Sequence, residues 1–436
     1  MTSETSKTEV GSYFISNYPP FSLWKPELIN EIQGALNQPP AVQTPLGLYL
    51  HIPFCRKRCK FCYFKVFTEK NAKEIETYVS ALSREIVLVS ALPVMGGRPF
   101  RFVYFGGGTP SFLSSKQLIS LVDRLRANIN WDHAEEVTFE CESGTLQEKK
   151  VHTLKDLGIT RLSLGIENFT DKILEENGRA HLSKQVFQAW DWIKAADFHN
   201  VNIDLISGMV GETWDNWKDN IRQAIEMSPE SVTIYQMELP FNTVYSADIL
   251  GNKIETPVAD WQMKRDWLNY AFYEFLNAGY HISSAYTVVK DPSKVNFSYR
   301  DNLWEGSDLL ATGIASFGHV GGVHYQNKPK WDEYTGDLLE KNELPIGRAY
   351  RPSAKQSLIR EVILNLKKGY LDVSYFKHKF DLDITDEFRD ALAEHQANDM
   401  LTVSADRIEL TRQGMLHADG LLPAFFEPEH QGIRYT

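Results

Sequence analysis

The sequence predicts an α/β fold with a parallel sheet, followed by a smaller, mainly helical part. From Leu46 onward, short apolar runs alternate with longer amphipathic stretches that have the helical period. Strands that alternate with helices indicate βαβ units, which place their strands parallel in one sheet. The predicted strands are Leu46–His51, Phe102–Phe105, Val137–Glu140, Arg161–Leu164, Val201–Leu205 and Ser231–Gln236. The helices predicted between them are Ala72–Val89, Ser115–Arg126, Gln147–Leu157, Lys184–Ala195 and Thr213–Glu226.

The order of these elements divides the chain into three predicted domains. Residues 1–45 hold a polar tail and then an aromatic, proline-rich segment, in which Pro19 and Pro20 exclude a long helix. We expect this segment either to pack on the core as a strap or to cover a substrate. Residues 46–350 form the α/β core, and residues 351–436 form a C-terminal domain.

The second half of the core has a weaker pattern than the first. Ala259–Ala278 has the period of one long helix, and the glycine- and aromatic-rich segment Asn296–Gly322 is expected to close the open side of the sheet. The C-terminal domain has the element order of a winged helix. Its predicted helices and strands are Ala354–Leu366, Val373–Lys379, Asp386–Gln396, Leu401–Val403 and Arg407–Leu410.

The composition is that of a globular protein from a reducing compartment. Of the 436 residues, 24% are charged and 43% hydrophobic, which indicates neither disorder nor a membrane protein. The net charge of −11 argues against nucleic-acid binding, which needs a basic face. No apolar run approaches the ~20 residues that span a bilayer, and the first residues lack the apolar core of a signal peptide. With four cysteines, these features predict a cytoplasmic protein without a transmembrane segment.

The stretch Leu48–Lys65 holds three of the four cysteines and carries the strongest chemical signal. Cys55, Cys59 and Cys62 are spaced C-x3-C-x2-C. An odd number of cysteines cannot form a disulfide framework, and tetrahedral zinc normally takes four protein ligands, for which the chain has no downstream partner motif. A [4Fe–4S] cluster held by three thiolates keeps one iron open for a further ligand. Cys141, the remaining cysteine, is expected to be a packed thiol.

The spacing C-x3-C-x2-C, with Phe61 before the last cysteine, resembles the signature of radical S-adenosylmethionine (SAM) enzymes. The flanking YLHIPFC is similar to the family of the oxygen-independent coproporphyrinogen oxidase, which includes heme chaperones and the class C, two-SAM methyltransferases. The resemblance runs from about Tyr13 to the C-terminus. It implies a partial (βα)6 barrel with a small C-terminal winged-helix-like domain. It also implies a [4Fe–4S] cluster on Cys55, Cys59 and Cys62, whose open iron chelates SAM and cleaves it to a 5'-deoxyadenosyl radical.

The resemblance further implies contacts to two SAM molecules near the ends of the predicted strands. Function in parallel barrels gathers at the carboxyl ends of the strands, and a glycine run such as 106–108 lets the backbone approach a ligand closely. The expected contacts of the first SAM are Tyr49, Gly107, Glu140 and Phe317. The expected contacts of the second are Phe61, Gly108, Thr109, Glu167, Arg179 and Asp204, and Met237, at the place of a small residue in the oxidase, is counted with the cofactor contacts.

Three departures from the best-known members affect the expected activity. Phe64 stands where the oxidase has a fourth cysteine, and Glu167 stands where it has a glutamine. The stretch Ser298–Trp304 lacks the histidine of a motif found in the heme chaperones. The chain therefore keeps both SAM sites and departs from features of both activities.

The resulting prediction is a class C radical SAM C-methyltransferase. In such an enzyme the radical from one SAM removes hydrogen from the methyl group of the second, and the methylene radical adds to an sp2 carbon of an aromatic or quinone acceptor such as menaquinone. Loss of S-adenosylhomocysteine then needs a base, for which the candidates are Glu142, Glu238 and His319. The alternatives are oxidative decarboxylation of coproporphyrinogen III and a heme chaperone, both with a tetrapyrrole ligand. The family implies flavodoxin or ferredoxin as the reductant.

Overall fold

Six parallel strands form the centre of a twelve-stranded sheet. A computed structural model describes residues 17–41, 44–238, 243–250, 258–431 and 433. The parallel strands are β1 (Leu46–Ile52), β2 (Phe100–Gly107), β3 (Glu136–Glu142), β4 (Arg161–Glu167), β5 (Val201–Ser207) and β6 (Ser231–Gln236). They lie side by side in chain order, as consecutive βα units should. Strand β6 has the predicted bounds, and the other five run further than predicted.

The helices of the first half connect these strands. Helix α1 (Ile29–Leu36) precedes β1, and the connecting helices are α2 (Ala72–Ser90), α3 (Ser115–Arg126), α4 (Glu148–Asp156), α5 (Asp171–Glu176), α6 (Ser183–Ala195) and α7 (Trp214–Met227). Their apolar faces and the parallel strands share one large buried core, which is why the strands are apolar almost throughout. None of the described helices combines the length and the apolar composition that a membrane span requires.

Side chains before the first turns set where α2 and α3 begin. Asn71 accepts hydrogen bonds from the backbone N–H groups of Lys73 and Glu74, and the Glu74 carboxylate accepts one in return from the N–H of Asn71. Ser114 and Gln117 form the same reciprocal pair before α3. These capping boxes satisfy N–H groups that lack a partner within the helix, so both helices begin at the predicted residues.

Further strands extend the sheet at both edges. After β6 come α8 (Val244–Leu250), α9 (Trp261–Asn277), β7 (His281–Ser284), β8 (Thr287–Val289) and α10 (Ser298–Trp304). Then come β9 (Asp308–Thr312), β10 (Phe317–Val320), β11 (Val323–Asn327), α11 (Trp331–Gly336) and β12 (Ile346–Tyr350). Strand β8 pairs antiparallel with β6, and β9 pairs in parallel with β1. The described strands run from β12 at one edge to β7 at the other without closing, which is the predicted partial barrel.

The C-terminal part has a separate small sheet and a core of its own. Its helices are α12 (Ala354–Leu366), α13 (Val373–Phe380), α14 (Ile384–Glu387), α15 (Arg389–Ala397), α16 (Arg412–Leu416) and α17 (Ala418–Leu421). Its antiparallel strands are β13 (Tyr370–Asp372), β14 (Leu401–Val403) and β15 (Arg407–Leu410), with β15 in the middle. Helices beside a small antiparallel sheet match the predicted winged-helix-like arrangement.

The described N-terminal residues pack as a strap between the sheet and the C-terminal part. Lys25 pairs with Ala349 of β12. The Tyr18 carbonyl lies 3.1 Å from Nε2 of His324, and its hydroxyl lies 2.8 Å from Nδ1 of His430. Residues 1–16, which include the predicted polar tail, lie outside the described part, as do residues 434–436. A substrate-covering role for the N-terminal segment stays a prediction.

Buried Glu85 of α2 fastens the segment after β9 to the barrel. Its carboxylate accepts hydrogen bonds from the Gly313 N–H at 2.8 Å and from Asn327 Nδ2 and the Tyr334 hydroxyl at 2.6 Å each. Because three buried donors would lose their acceptor, we expect Glu85→Ala to lower the free energy of unfolding by about 2–4 kcal/mol. Glu76→Ala, an exposed position on the same helix, should cost less than about 1 kcal/mol. Urea unfolding of both variants measures the difference.

Glu85 should also make the stability depend on pH. Burial raises the pKa of Glu85 from 4.5 to about 7. The folded state therefore holds a proton that the unfolded state has lost, so the contribution of Glu85 is fully present below pH 4.5 and is lost as the pH rises through about 7. Glu85→Gln cannot titrate, and its stability should fall less steeply over this window. Equal slopes for wild type and Glu85→Gln would contradict the assignment.

Candidate active site

A cavity of about 390 Å³ opens at the carboxyl ends of the parallel strands. One wall is the segment between β1 and α2, residues 53–71, which we call the cysteine loop. The other walls are the ends of β2 to β6 and the residues that follow them. Two larger depressions, of about 710 and 680 Å³, lie between outer helices and contain none of the predicted site residues. Ligands of parallel α/β folds bind at the carboxyl ends of strands, so the smaller cavity is the candidate active site.

The three cysteines of the loop all line this cavity. The Thr109 hydroxyl donates to Cys55 Sγ at 3.4 Å, and Arg179 Nη1 donates to Cys59 Sγ at 3.3 Å. The loop also turns back on itself, since the Cys62 N–H donates to the Cys59 carbonyl at 3.1 Å. Donors directed at the sulfurs favour thiolates, the form that binds metal.

The donor set fits a cluster better than a single metal ion. A single zinc ion normally takes four protein ligands, whereas the cysteine loop supplies three. A [4Fe–4S] cluster needs only one thiolate for each bound iron, and three cysteines around one cavity supply them. Burial raises the pKa of Cys55 to about 12, so this sulfur is a thiolate only beside a strong positive charge such as iron. Gly108 keeps the space open, because a Cβ there would lie 2.9 Å from Cys55 Sγ.

Three carboxylates and one guanidinium, all of them mostly but not fully buried, form the inner part of the cavity. Burial raises the pKa of Glu140 and of Glu167 to about 7 and that of Asp204 to about 6. Arg179 lies 3.4 Å from Glu167, and its Nε is a buried donor without a partner in the described structure. A cationic ligand would stabilise the ionised carboxylates, and a ligand carboxylate would satisfy the free donor. SAM, with its sulfonium, ammonium and carboxylate groups, fits both requirements.

Strand ends direct these side chains inward. Glu140 accepts hydrogen bonds from the Tyr104 hydroxyl at 2.8 Å and from the Gly107 N–H at 3.1 Å. Gly107 has φ 120°, and a Cβ there would lie 2.8 Å from the ring of His51, so glycine is needed. Glu167 has φ 67° next to a register shift between β4 and β5. This left-handed backbone costs a non-glycine residue about 1–2 kcal/mol, a strain of the kind found at functional sites.

Glu142 lines the cavity and lies beside a buried histidine. Its Oε1 is 3.2 Å from His181 Nδ1, and His181 Nε2 is 3.3 Å from the Ile166 carbonyl. Burial raises the pKa of Glu142, but the hydrogen bond with His181 and the charges of Arg179 and Arg56 outweigh it and hold this pKa below its usual range. Glu142 is therefore an ionised carboxylate that faces the cavity.

The structure brings most of the predicted site residues together and leaves three outside. The predicted residues that line the cavity are Cys55, Cys59, Phe61, Cys62, Gly107, Gly108, Thr109, Glu140, Glu142, Glu167, Arg179, Asp204, Met237 and Glu238. Tyr49 lies beneath it, with its hydroxyl 3.2 Å from His51 Nδ1. Phe317 packs on the rings of Phe21 and Trp24 in the strap.

His319, expected to face inward as a candidate base, does not reach the cavity. Its ring lies 4.8 Å from that of His324, and its Nδ1 is 3.4 Å from the Ser307 carbonyl. Strand β10 extends the sheet beyond β9, so its side chains meet the strap and the C-terminal part instead of the strand ends. The structure therefore leaves Glu142 and Glu238 as the predicted bases at the cavity.

Several lining residues were not predicted. Ser163 and Gly165 precede Glu167 on β4 at every second position, and the two-residue period of a strand could have identified them. The other unpredicted lining residues include Lys57, Arg58, Tyr63, Phe64, Tyr235 and Gln236. Lys57, Arg58, Tyr63 and Phe64 lie on the cysteine loop, whose conformation has no periodic signal in the sequence. Tyr235 and Gln236 lie at the end of the predicted strand β6.

Comparison with known protein families gives two matches along the chain. Residues 49–224 match the Radical SAM superfamily model. Residues 353–417 match the model of the HemN C-terminal domain. The first match contains the cysteine loop and the strand ends through Asp204, and the second covers most of the C-terminal part.

Curated relatives align over nearly the whole chain. The oxygen-independent coproporphyrinogen III oxidase of Synechocystis sp. is 24% identical, over 92% of this chain and 89% of the relative. The heme chaperone HemW of Bacillus subtilis is 25% identical, over 86% of this chain and 98% of the relative. The structure of coproporphyrinogen III oxidase (HemN) from Escherichia coli superposes with a TM-score of 0.81, at 23% identity, over 94% of this chain and 96% of that one. These comparisons confirm the radical SAM fold and do not support the methyltransferase branch.

Proposed function

We propose that this chain, a radical SAM protein with a HemN C-terminal domain, removes a hydrogen atom from a tetrapyrrole substrate in an oxidative decarboxylation of the coproporphyrinogen III type. The observation that carries the proposal is the cavity itself. Three cysteines and a recess of buried carboxylates share it, at the strand ends of a chain that aligns with such an oxidase over 92% of its length. The sequence analysis preferred methyl transfer. We now place oxidative decarboxylation first, because the relatives named above are oxidases and heme chaperones.

Each part of the cavity has a task in this proposal. Cys55, Cys59 and Cys62 would hold a [4Fe–4S] cluster, which together with SAM supplies a 5'-deoxyadenosyl radical when bound. Glu140 and the glycine run beside it would hold the SAM on the cluster. Arg179 would bind the carboxylate of a second SAM, with Glu167 and Asp204 beside it.

An apolar group on one side of the cavity would protect the reaction from water. Met237 packs with Ile173, Ile206 and Met209, and Phe61 packs against them. Met237, Ile206 and Phe61 also line the cavity. Exclusion of water prevents side reactions of a reactive species, so this group would keep the hydrogen abstraction on the substrate.

A second candidate function is methyl transfer to an aromatic or quinone acceptor. The observation that favours it is the ionised Glu142 beside His181. Methyl transfer needs a base that takes a proton from the methylated carbon, whereas the decarboxylation of a substrate radical releases carbon dioxide and one electron, which passes to an electron acceptor. Phe64, which stands in place of the oxidase's fourth cysteine, also favours methyl transfer over decarboxylation.

Product analysis tests the proposal. The cluster-reconstituted protein is incubated anaerobically with SAM, a low-potential reductant and coproporphyrinogen III. We expect 5'-deoxyadenosine, carbon dioxide and protoporphyrinogen. Formation of S-adenosylhomocysteine with a methylated acceptor would favour the second candidate. Tight, stoichiometric heme binding without formation of 5'-deoxyadenosine would identify a heme carrier and overturn both.

The variant Glu142→Gln separates the two reactions. A general base contributes about 10²–10⁴-fold to a rate, so methyl transfer should fall at least about 100-fold. Decarboxylation should change by less than about 10-fold, because it does not need this base. Glu148→Gln, in the first turn of α4 and away from the cavity, is the matched control. Iron content and product rates of the three proteins are compared.

A further inference from the structure

A row of polar side chains crosses three parallel strands behind the cavity. Ser163 of β4, Asn202 of β5 and Ser231 of β6 are register partners, so their side chains lie on the same face of the sheet. All three are buried. Asp204, two residues after Asn202 on β5, lies on the same face and lines the cavity, whereas Asn202 does not. The row therefore ends at a carboxylate of the candidate site.

Asn202 is the centre of this row. Its Nδ2 donates to Ser163 Oγ and to Asp204 Oδ1, at 2.9 Å each. Its Oδ1 accepts from Ser231 Oγ at 2.9 Å and from Thr233 Oγ1 at 3.1 Å. These four bonds use the full hydrogen-bonding capacity of a side-chain amide. The opposite orientation of the amide would place its oxygen against the Asp204 carboxylate, so the hydrogen bonds assign the orientation.

The hydrogen bonds of the row all run toward Asp204. Arg161 Nη2 donates to Ser231 Oγ at 3.3 Å, and a guanidinium cannot accept in return. Ser231 donates to Asn202, and Ser163, which accepts from Asn202, donates to Asp204 Oδ2 at 2.8 Å. Each carboxylate oxygen of Asp204 thus receives one donor, which favours the ionised form. Burial raises the pKa of Asp204 to about 6, although these two hydrogen bonds lower it.

We infer that Asn202 is a positioning residue, which fixes the orientation of the Asp204 carboxylate and thereby strengthens binding of the second SAM without touching it. This inference rests on the proposed function, in which Asp204 lies beside the second SAM, and deepens it. A carboxylate that is already held in place loses little rotational freedom when a ligand binds. Buried hydrogen bonds behind a binding residue supply this support.

SAM binding tests the inference. Two-site binding curves are measured by anaerobic equilibrium dialysis of the cluster-reconstituted full-length protein. Asn202→Leu removes the amide and keeps a similar volume, so the second SAM should bind about ten-fold more weakly and the first as in wild type. The matched control is Asn220→Leu. Asn220 is also buried, accepts from the Phe169 N–H at 3.0 Å and donates to Glu212 at 3.2 Å, but does not line the cavity. This control should be less stable than wild type and keep both SAM affinities.

A double-variant cycle separates positioning from a general structural role. If Asn202 acts only through Asp204, the two losses do not add. Asp204→Ala combined with Asn202→Leu should then bind the second SAM as Asp204→Ala does alone. Ser163→Ala, a smaller change that removes the other donor to Asp204, should behave in the same way in its own cycle. It keeps the test decisive if Asn202→Leu does not fold.

Three results would overturn the inference. They are additive losses in the cycles, unchanged binding of the second SAM in Asn202→Leu and Ser163→Ala, and equal weakening of both SAM molecules at wild-type iron content. Saturation of wild type at one SAM would overturn it as well. The proposed function is decided separately, by whether wild type forms carbon dioxide and protoporphyrinogen from coproporphyrinogen III.

Discussion

Alanine at Cys55, Cys59 or Cys62 should abolish binding of the iron–sulfur cluster, whereas Cys141→Ala should leave it unchanged. The three loop cysteines line one cavity, and each would bind a different iron. Cys141 lines the same cavity from β3, but it is buried and burial raises its pKa strongly. It is therefore the matched control: a cysteine at the same site without the loop geometry.

Iron and sulfide analysis after anaerobic reconstitution measures this result. Wild type and Cys141→Ala should each hold about four irons, and the other three variants should hold almost none. A cluster-free Cys141→Ala protein would contradict the three-cysteine assignment. Full loading of any loop variant would contradict it equally.

Loss of the Arg179 side chain should empty one of two SAM sites. Arg179 contacts Cys59 Sγ and lies 3.4 Å from Glu167, and its free buried Nε is a donor for a ligand carboxylate. Losing one charged hydrogen-bonding partner costs about 1.5–3 kcal/mol, or about 10- to 100-fold in affinity. Arg179→Ala should therefore bind one SAM where wild type binds two, and SAM cleavage should become uncoupled from substrate conversion.

Anaerobic equilibrium dialysis counts the bound SAM. Because Arg179 also lies beside Cys59, cluster content and the unfolding midpoint must be measured for each variant. Asp204→Asn, which changes the opposite charge in the same recess, should weaken the second SAM in the same way without touching a cysteine. Glu167 and Glu142 would lose their nearby cation in Arg179→Ala, so some loss of stability is expected as well. If wild type saturates at one SAM, the two-SAM assignment fails.

The parallel core could be predicted because the sequence patterns of its strands and helices are local. Each of the strands β1 to β6 is a short apolar run, and runs of this kind separated by amphipathic helices lead to a parallel sheet. Strands β7 to β13, each of only three to five residues, were not predicted, although the equally short β14 and β15 were. Such short segments become strands because a neighbour supplies the hydrogen-bond partners, and a single sequence does not identify that neighbour.

Some residues of the candidate site could also be predicted from local sequence, and others could not. The cysteine motif and the match to the family near the strand ends predicted that the three cysteines, Glu140, Glu167 and Asp204 lie at one site, and all of them line the cavity. His319 could not be placed correctly, because the position of β10 depends on its pairing with β9 and β11.

The sequence by itself determined where the candidate site residues lie along the chain: three cysteines in one loop, a glycine run at the end of β2 and carboxylates at strand ends. Spacing along the chain is enough for these, because ligand type and strand period are local properties. Only the tertiary structure decided which charges meet. The pairing of Glu142 with His181 and the contact of Arg179 with Cys59 join segments that are distant in the sequence. The distances between these side chains depend on loop conformation, and the packing of the whole barrel sets that conformation.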